Sequence, residues 1–391
     1  MISLVPRLQS ASEEATRGRF SPRRSALKIL KSAGILLLTL LLVLFSYRFP
    51  VLVLVFCAGS ISLICCRASA IGVVTTVLLS GFLIWMNQGK LISSDFAWYS
   101  SHYVMLSYMA LSDYLGHRIN EFTIKSNEPF YYTASFILSR ISNGDIGFLN
   151  ACITGWVYGL SGVAHSLVAR HMKLDRTQTM TYVMVGMLVC TTFTLSNHLV
   201  RQEVASSALL LGVTCLYLKN HRSAVFFLGI ASITHESSYI PLSCILLGLL
   251  LQRLPVRQRG KAVGVLMLLY LGVGYYYANH VTSDSPFQAV RSDGDISPIT
   301  HALDFTLLSL SGWLIWRQDR NEPLRSLAMV VLLYLAFLLG LVSQPLPFLR
   351  MYFYVDLLRG CAAAFLALQL LRSAYGQLWS VPVIRSEEHT S

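Results

Sequence analysis

The sequence predicts an all-α, polytopic integral membrane protein with about 12 transmembrane helices. Three observations carry this. Of 391 residues, 54% are hydrophobic and only 13% charged, with mean hydropathy +0.57, which belongs to the polytopic membrane class and not to ordinary soluble chains. Apolar segments of bilayer length recur along the chain, separated by short polar joints. The positive charge is also segregated to one side of those segments.

Taken in order, the spans fall near 33–47, 50–66, 70–87, 146–168, 178–196, 202–219, 223–235, 238–252, 262–280, 302–317, 326–343 and 350–371. Alternating the joints places 21 Lys and Arg on one side. Eight lie on the other, although its loops are longer. Both termini are therefore expected in the cytoplasm, and residues 1–31 read as a basic cytoplasmic tail. The rest, 32–384, reads as a single polytopic domain with two long outer loops, about 88–145 and 281–301.

One joint tests that topology. Residues 223–252 as one helix would run about 45 Å and carry Arg253, Arg257, Arg259 and Lys261 outside. Two short helices turning at His235–Ser237 keep these basic residues inside, so the turn is expected to face outward. Residues 385–391, RSEEHTS, bear no relation to what precedes them and match translated sequencing-adapter DNA. They are expected to be non-native.

The net charge of +12 does not point to nucleic acid, because most of the basic residues lie in loops on one side. All eight cysteines fall within apolar runs without CxxC or His-rich neighbours, which argues against a disulfide framework or a zinc site.

Against this background a few polar residues stand out where apolar runs meet the outer surface. Arg201 opens a span, where a guanidinium beside exposed helix N-terminal amides suits a phosphate; it can equally anchor the helix by snorkelling. Glu203 is expected to be solvated or locally paired, and His198 is a weaker candidate. His235, at the outward turn in ITHESSYI, titrates near neutrality and can act as a general base, or simply hydrogen-bond there. Arg350 follows a rigid Pro-containing turn and suits an anion or an interfacial anchor. Asp356 and Arg359, at i and i+3, are expected to form an internal ion pair. In the first long loop, Asp95, Tyr99 and Tyr103 repeat at i, i+4, i+8 on one helical face, and Glu128 lies beyond them. Asp113, Asp284, Arg291, Asp293 and Asp295 read as solvated loop residues.

Four stretches together resemble the EpsG-type family of bacterial exopolysaccharide and O-antigen (Wzy-like) polymerases. They are SDFAWYSSHY (94–103), NEPFYY (127–132), RQEVASSALLL (201–211) with FFLGIASITHESSYIPL (226–242), and RMYFYVDLL (350–358). The resemblance covers roughly 90–360. It implies a multi-pass enzyme of the bacterial cytoplasmic membrane that polymerises undecaprenyl-pyrophosphate-linked oligosaccharide repeats at the outer face.

The growing chain would be the donor, and a hydroxyl of a new lipid-linked repeat the acceptor. The resemblance assigns Arg201 and Arg350 to the pyrophosphate, and His235, or else Asp95 or Glu128, to deprotonation of the hydroxyl. Tyr99 and Tyr103 offer faces for stacking on sugar rings, or equally join the interfacial aromatic belt. No metal or other cofactor is expected, since no carboxylate cage is evident. Expected partners are the lipid-linked oligosaccharide, membrane lipids, and a chain-length regulator with export machinery, but not nucleic acid. Another polyprenyl-linked glycosyltransferase or ligase would share these features. A polysaccharide or lipid transporter should instead place polar groups at mid-membrane and show repeated halves.

Overall fold

A computed structural model describes residues 57, 59–64, 70–88, 94–115, 128–190 and 200–280, and pieces of 302–371. The expected spans 33–47 and most of 50–66, the 281–301 loop, His198, Arg350, Asp356 and the 385–391 tail lie outside the described residues, as does the side chain of Asp95. Ala58–Ser391 is assigned to one unit of the chain. The helical bundle and its candidate site belong to it.

Every regular element among the described residues is helical, so the protein is all-α. The helices are α1 (Ile71–Asn87), α2 (Ser94–Tyr108), α3 (Leu111–Leu115), α4 (Pro129–Ser142), α5 (Ile146–His171), α6 (Arg176–Cys190), α7 (Val200–Tyr217), α8 (His221–Thr234), a 3₁₀ turn (Glu236–Ser238), α9 (Tyr239–Leu251), α10 (Val256–His280) and α11 (Glu322–Leu341). A further apolar helix, α12, runs over Leu358–Leu368. Ile146–His171 and Gln258–Asn279 are each long and apolar enough to cross a membrane.

Helix α5 is the hub of the first half and packs against α1, α6 and α7. Gly162 lets these neighbours close in, because a Cβ there would run into Thr76 of α1 and Met187 of α6. Asp145 starts the helix by accepting the Gly147 N–H at 2.8 Å, which satisfies one of the orphan donors of the first turn. Just before it, Asn143 (φ 52°) and Gly144 (φ 77°) are both left-handed, which reverses the chain between α4 and α5. Gly144 also lies close against Ser107, so the reversal seats α2 beside α4.

The described parts of the first long loop pack into the bundle. Phe96, Tyr99, Tyr103, Leu106, Tyr131 and Tyr132 from α2 and α4 form one buried cluster with Leu149, Ile153 and Val157 of α5 and with Val200 and Val204 of α7. Aromatic burial on this scale is the main force holding α2 and α4 to the bundle.

The 223–252 segment is broken, and the break has local causes. Thr234 Oγ1 donates to the Ile230 carbonyl at 2.6 Å, and Ser238 Oγ lies within bonding distance of the Ala231 and His235 carbonyls. These hydroxyls add bonds to carbonyls that already accept backbone N–H groups at the helix end, a back-bonding that bends and weakens a helix. Pro241, lacking an N–H, could not continue an α-helix through the turn, but fits the first turn of α9.

In the second half, α10 and α11 meet backbone to backbone at Gly274 and Gly340. A Cβ at Gly274 would overlap the Phe337 carbonyl oxygen, and one at Gly340 the Leu271 carbonyl oxygen. Close approach through small residues is a packing device of apolar helices. Gly274→Ala is expected to cost about 1–3 kcal/mol by forcing these helices apart. Thermal unfolding of the purified protein checks this, with Gly272→Ala as control, since a Cβ at Gly272 meets nothing within 4 Å.

Candidate active site

The site is assembled around one carboxylate. Glu128 occupies the residue before α4, whose first position is a proline. It makes no side-chain cap to that helix and turns instead across the bundle. One oxygen, Oε2, accepts from Arg201 Nη1 in a short ion pair. The other, Oε1, lies 3.3 Å from His235 Nδ1. Residues distant in sequence, on α4, α7 and the α8–α9 turn, therefore converge on a single group.

Burial is graded across this trio. The Glu128 side chain is 0% exposed, whereas Arg201 is 17% and His235 14% exposed. The carboxylate thus sits behind, and the cation and the imidazole form the accessible front. Taking a carboxylate out of water is costly unless it is paired and hydrogen-bonded. The guanidinium supplies that pairing with a charge-assisted hydrogen bond.

Arg201 is itself held on several sides. Its Nε donates to the Tyr99 hydroxyl at 3.2 Å, and Nη1 lies 3.3 Å from the Tyr132 hydroxyl. The guanidinium carbon is 5.9 Å and 5.8 Å from the ring centroids of Trp98 and Tyr99, within cation–π range. Trp98 in turn stacks on His102, one turn along α2. Burial, and then the charge of Arg201, push the His102 pKa down to about 4. His102 is therefore a neutral ring at physiological pH and does not compete with Arg201 for an anion.

His235 has two arrangements open to it. Nδ1 lies 3.2 Å from the Ser237 N–H and 3.3 Å from Ser237 Oγ, besides its contact with Glu128. With the proton on Nε2, Nδ1 accepts from Ser237. With the proton on Nδ1, that nitrogen faces Glu128 Oε1 at ion-pair distance, and the lone pair on Nε2 becomes the base. A carboxylate behind an imidazole is the arrangement that orients a histidine and stabilises the imidazolium formed when it takes a second proton. Ser237 Oγ is also hydrogen-bonded to the Tyr354 hydroxyl at 2.9 Å, which ties the turn to the segment before α12.

Of the residues singled out in the sequence, Arg201, His235, Glu128 and Tyr99 meet here. Tyr103 does not. It is 1% exposed with its hydroxyl 2.7 Å from Ser142 Oγ, so it packs the α2–α4 core and presents no face to a sugar. The reason is that α2 buries the Tyr99–Tyr103 face that the i, i+4 spacing marks. Glu203, expected to be solvated or locally paired, is fully buried, which rules out the solvated alternative; both it and Glu128 are within electrostatic range of the Tyr354 hydroxyl.

Trp98, His102, Tyr132, Ser237 and Tyr354 complete the site, and sequence reasoning did not assign them roles. The i, i+4 spacing of Trp98 and His102 was the available signal for that pair. No group of three or more His, Cys, Asp or Glu among the described residues could hold a metal ion. No family model, curated protein or solved structure matches this chain.

Proposed function

We propose that this protein is a polytopic glycosyltransferase of the bacterial cytoplasmic membrane that polymerises polyprenyl-pyrophosphate-linked oligosaccharide repeats at its outer face. One observation carries the reading: a single buried carboxylate, Glu128, braces a guanidinium and an imidazole that both remain accessible. An anion site and a base side by side suit a reaction that expels a phosphate ester while deprotonating an alcohol. The segregated basic joints and repeated apolar segments support the membrane setting, and the resemblance to EpsG-type polymerases supports the substrate class.

In the reaction, the acceptor hydroxyl gives its proton to His235 Nε2, and its oxygen attacks the anomeric carbon of the donor. The bond from that carbon to the pyrophosphate oxygen breaks, and the electron pair leaves with the lipid pyrophosphate. Arg201 neutralises the charge developing on the leaving group. Glu128 touches no substrate; it is a positioning residue that fixes the imidazole and stabilises its protonated form. The proton on His235 then passes to solvent.

The test is glycan length by gel, in a host lacking its polymerase but supplied with the cognate lipid-linked repeat. Wild type is expected to produce a ladder. His235→Ala at matched membrane levels is expected to leave single repeats, a loss on the order of 10²–10⁴-fold in polymerisation, as for removal of a general base. No ladder from wild type, with the repeat confirmed on the outer leaflet, would reject polymerisation.

A further inference from the structure

Two groups make opposite demands on one nitrogen of His235. The residue leaves α8 in extended conformation, which folds its ring back over the 3₁₀ turn, where Nδ1 accepts from the Ser237 N–H at 3.2 Å. That bond needs a lone pair on Nδ1 and so puts the proton on Nε2. Glu128 Oε1, 3.3 Å from the same nitrogen, favours the other tautomer, because negative charge beside Nδ1 attracts a proton there. Only that second tautomer leaves Nε2 a base.

The hydroxyl of Ser237 tips the balance. Its Oγ lies 3.3 Å from Nδ1 and 2.9 Å from the Tyr354 hydroxyl, and it has one proton to give. Donated to Tyr354, that proton leaves the Ser237 lone pairs to accept from an Nδ1–H. Donated to Nδ1, it joins the backbone N–H in holding the ring with its proton on Nε2. The direction therefore depends on what Tyr354 does with its own proton. Tyr354 is 3% exposed, and the charges that act on its hydroxyl are Glu128 and the fully buried Glu203 of α7. Glu128 is shared between Arg201 and His235, so the pull of Glu203 prevails.

Resting on the polymerase reading above, we infer that Tyr354, acting through Ser237, is a positioning residue that keeps the proton of His235 on Nδ1. The Tyr354 proton turns toward Glu203, its oxygen accepts from Ser237, and Ser237 accepts from Nδ1–H. Nε2 is then free to take the proton of the acceptor hydroxyl. Two buried groups outside the reaction centre gain a role in this way, and neither touches substrate.

The experiment uses the purified full chain carrying histidine labelled in carbon and nitrogen. Solid-state NMR separates protonated from bare ring nitrogens by their shifts, and Cγ, bonded to Nδ1 alone, tells the two nitrogens apart. The His235 signals are those absent from His235→Gln. At a pH where these shifts show a neutral ring, wild type is expected to carry the proton mainly on Nδ1. Tyr354→Phe keeps the ring that packs edge-on against Tyr334 but leaves the Ser237 hydroxyl to donate to Nδ1. It should move the tautomer ratio toward Nε2–H by roughly three- to tenfold, the worth of one neutral hydrogen bond, and lower the amount of polymer on the gel.

In Ser237→Ala the link is gone, so adding Tyr354→Phe should change neither the ratio nor the polymer further. The double variant is therefore expected to make more polymer than Tyr354→Phe alone, a recovery that lost packing would not give. A proton on Nε2 in wild type, a ratio unmoved by Tyr354→Phe, or the same shift with and without the Ser237 hydroxyl would overturn the inference. The tautomer is read without substrate or turnover. The expected shifts without a glycan ladder from wild type support the positioning role while rejecting polymerisation, and a ladder with an unmoved ratio rejects the positioning role alone.

Discussion

Glu128→Gln is expected to abolish the glycan ladder while the protein still reaches the membrane in near-normal amount. The amide keeps the volume of the side chain but removes the charge on which Arg201 and His235 converge. The substitution acts on the histidine in two ways. The imidazolium loses its counter-charge, so His235 becomes a weaker base. The amide can also present its NH₂ to Nδ1, favouring the tautomer with the proton on Nε2, in which the base is no longer available. Loss of an orienting carboxylate has cost about 10⁴-fold in a serine protease, and a drop of roughly 10²–10⁴-fold is expected here. Aspartate, shorter by one methylene, should restore part of the activity. Ladders of normal length and amount from Glu128→Gln would remove Glu128 from the mechanism.

The second large effect is on stability as well as activity. Arg201→Met deletes the guanidinium partner of a fully buried carboxylate, and breaking a buried pair from one side typically costs about 3–5 kcal/mol. The variant should unfold at a markedly lower temperature in detergent and make no ladder. Arg201→Lys retains a charge but cannot serve Glu128, Tyr99 and Tyr132 together with one planar fork, so it should fall between the two.

The double variant Arg201→Met with Glu128→Gln separates stability from chemistry. With the charge gone from both partners it should be more stable than Arg201→Met alone and remain inactive. Additive losses in the double variant, with no recovery of stability, would show that the two side chains do not act as a pair.

Much of the architecture was legible because it follows from local patterns. Helical class comes from hydrophobicity over windows of a helix length, which needs no knowledge of neighbours. The break near His235 was legible for a different reason: the expected charge pattern required two short helices there in place of one long one, and the hydroxyl and proline chemistry around the turn is also local. The loop over 88–145 was legible only in part. Its i, i+4 tyrosines marked a helical face correctly, but whether that face meets substrate or core depends on what packs against it. Tyr103 went to the core and Tyr99 to Arg201, one turn apart on the same helix.

The sequence by itself determined the all-α class, the helix-breaking turn at His235 and a short set of polar candidates, because each depends on residues close together in the chain. Only the tertiary structure decided that Glu128 joins Arg201 to His235 and that Glu203 is buried. A carboxylate and a guanidinium 73 positions apart carry no mutual periodicity that a single sequence can reveal. Their meeting is set by how α4 is held against α5 and α7 through the buried aromatic cluster, which is a property of packing and not of spacing.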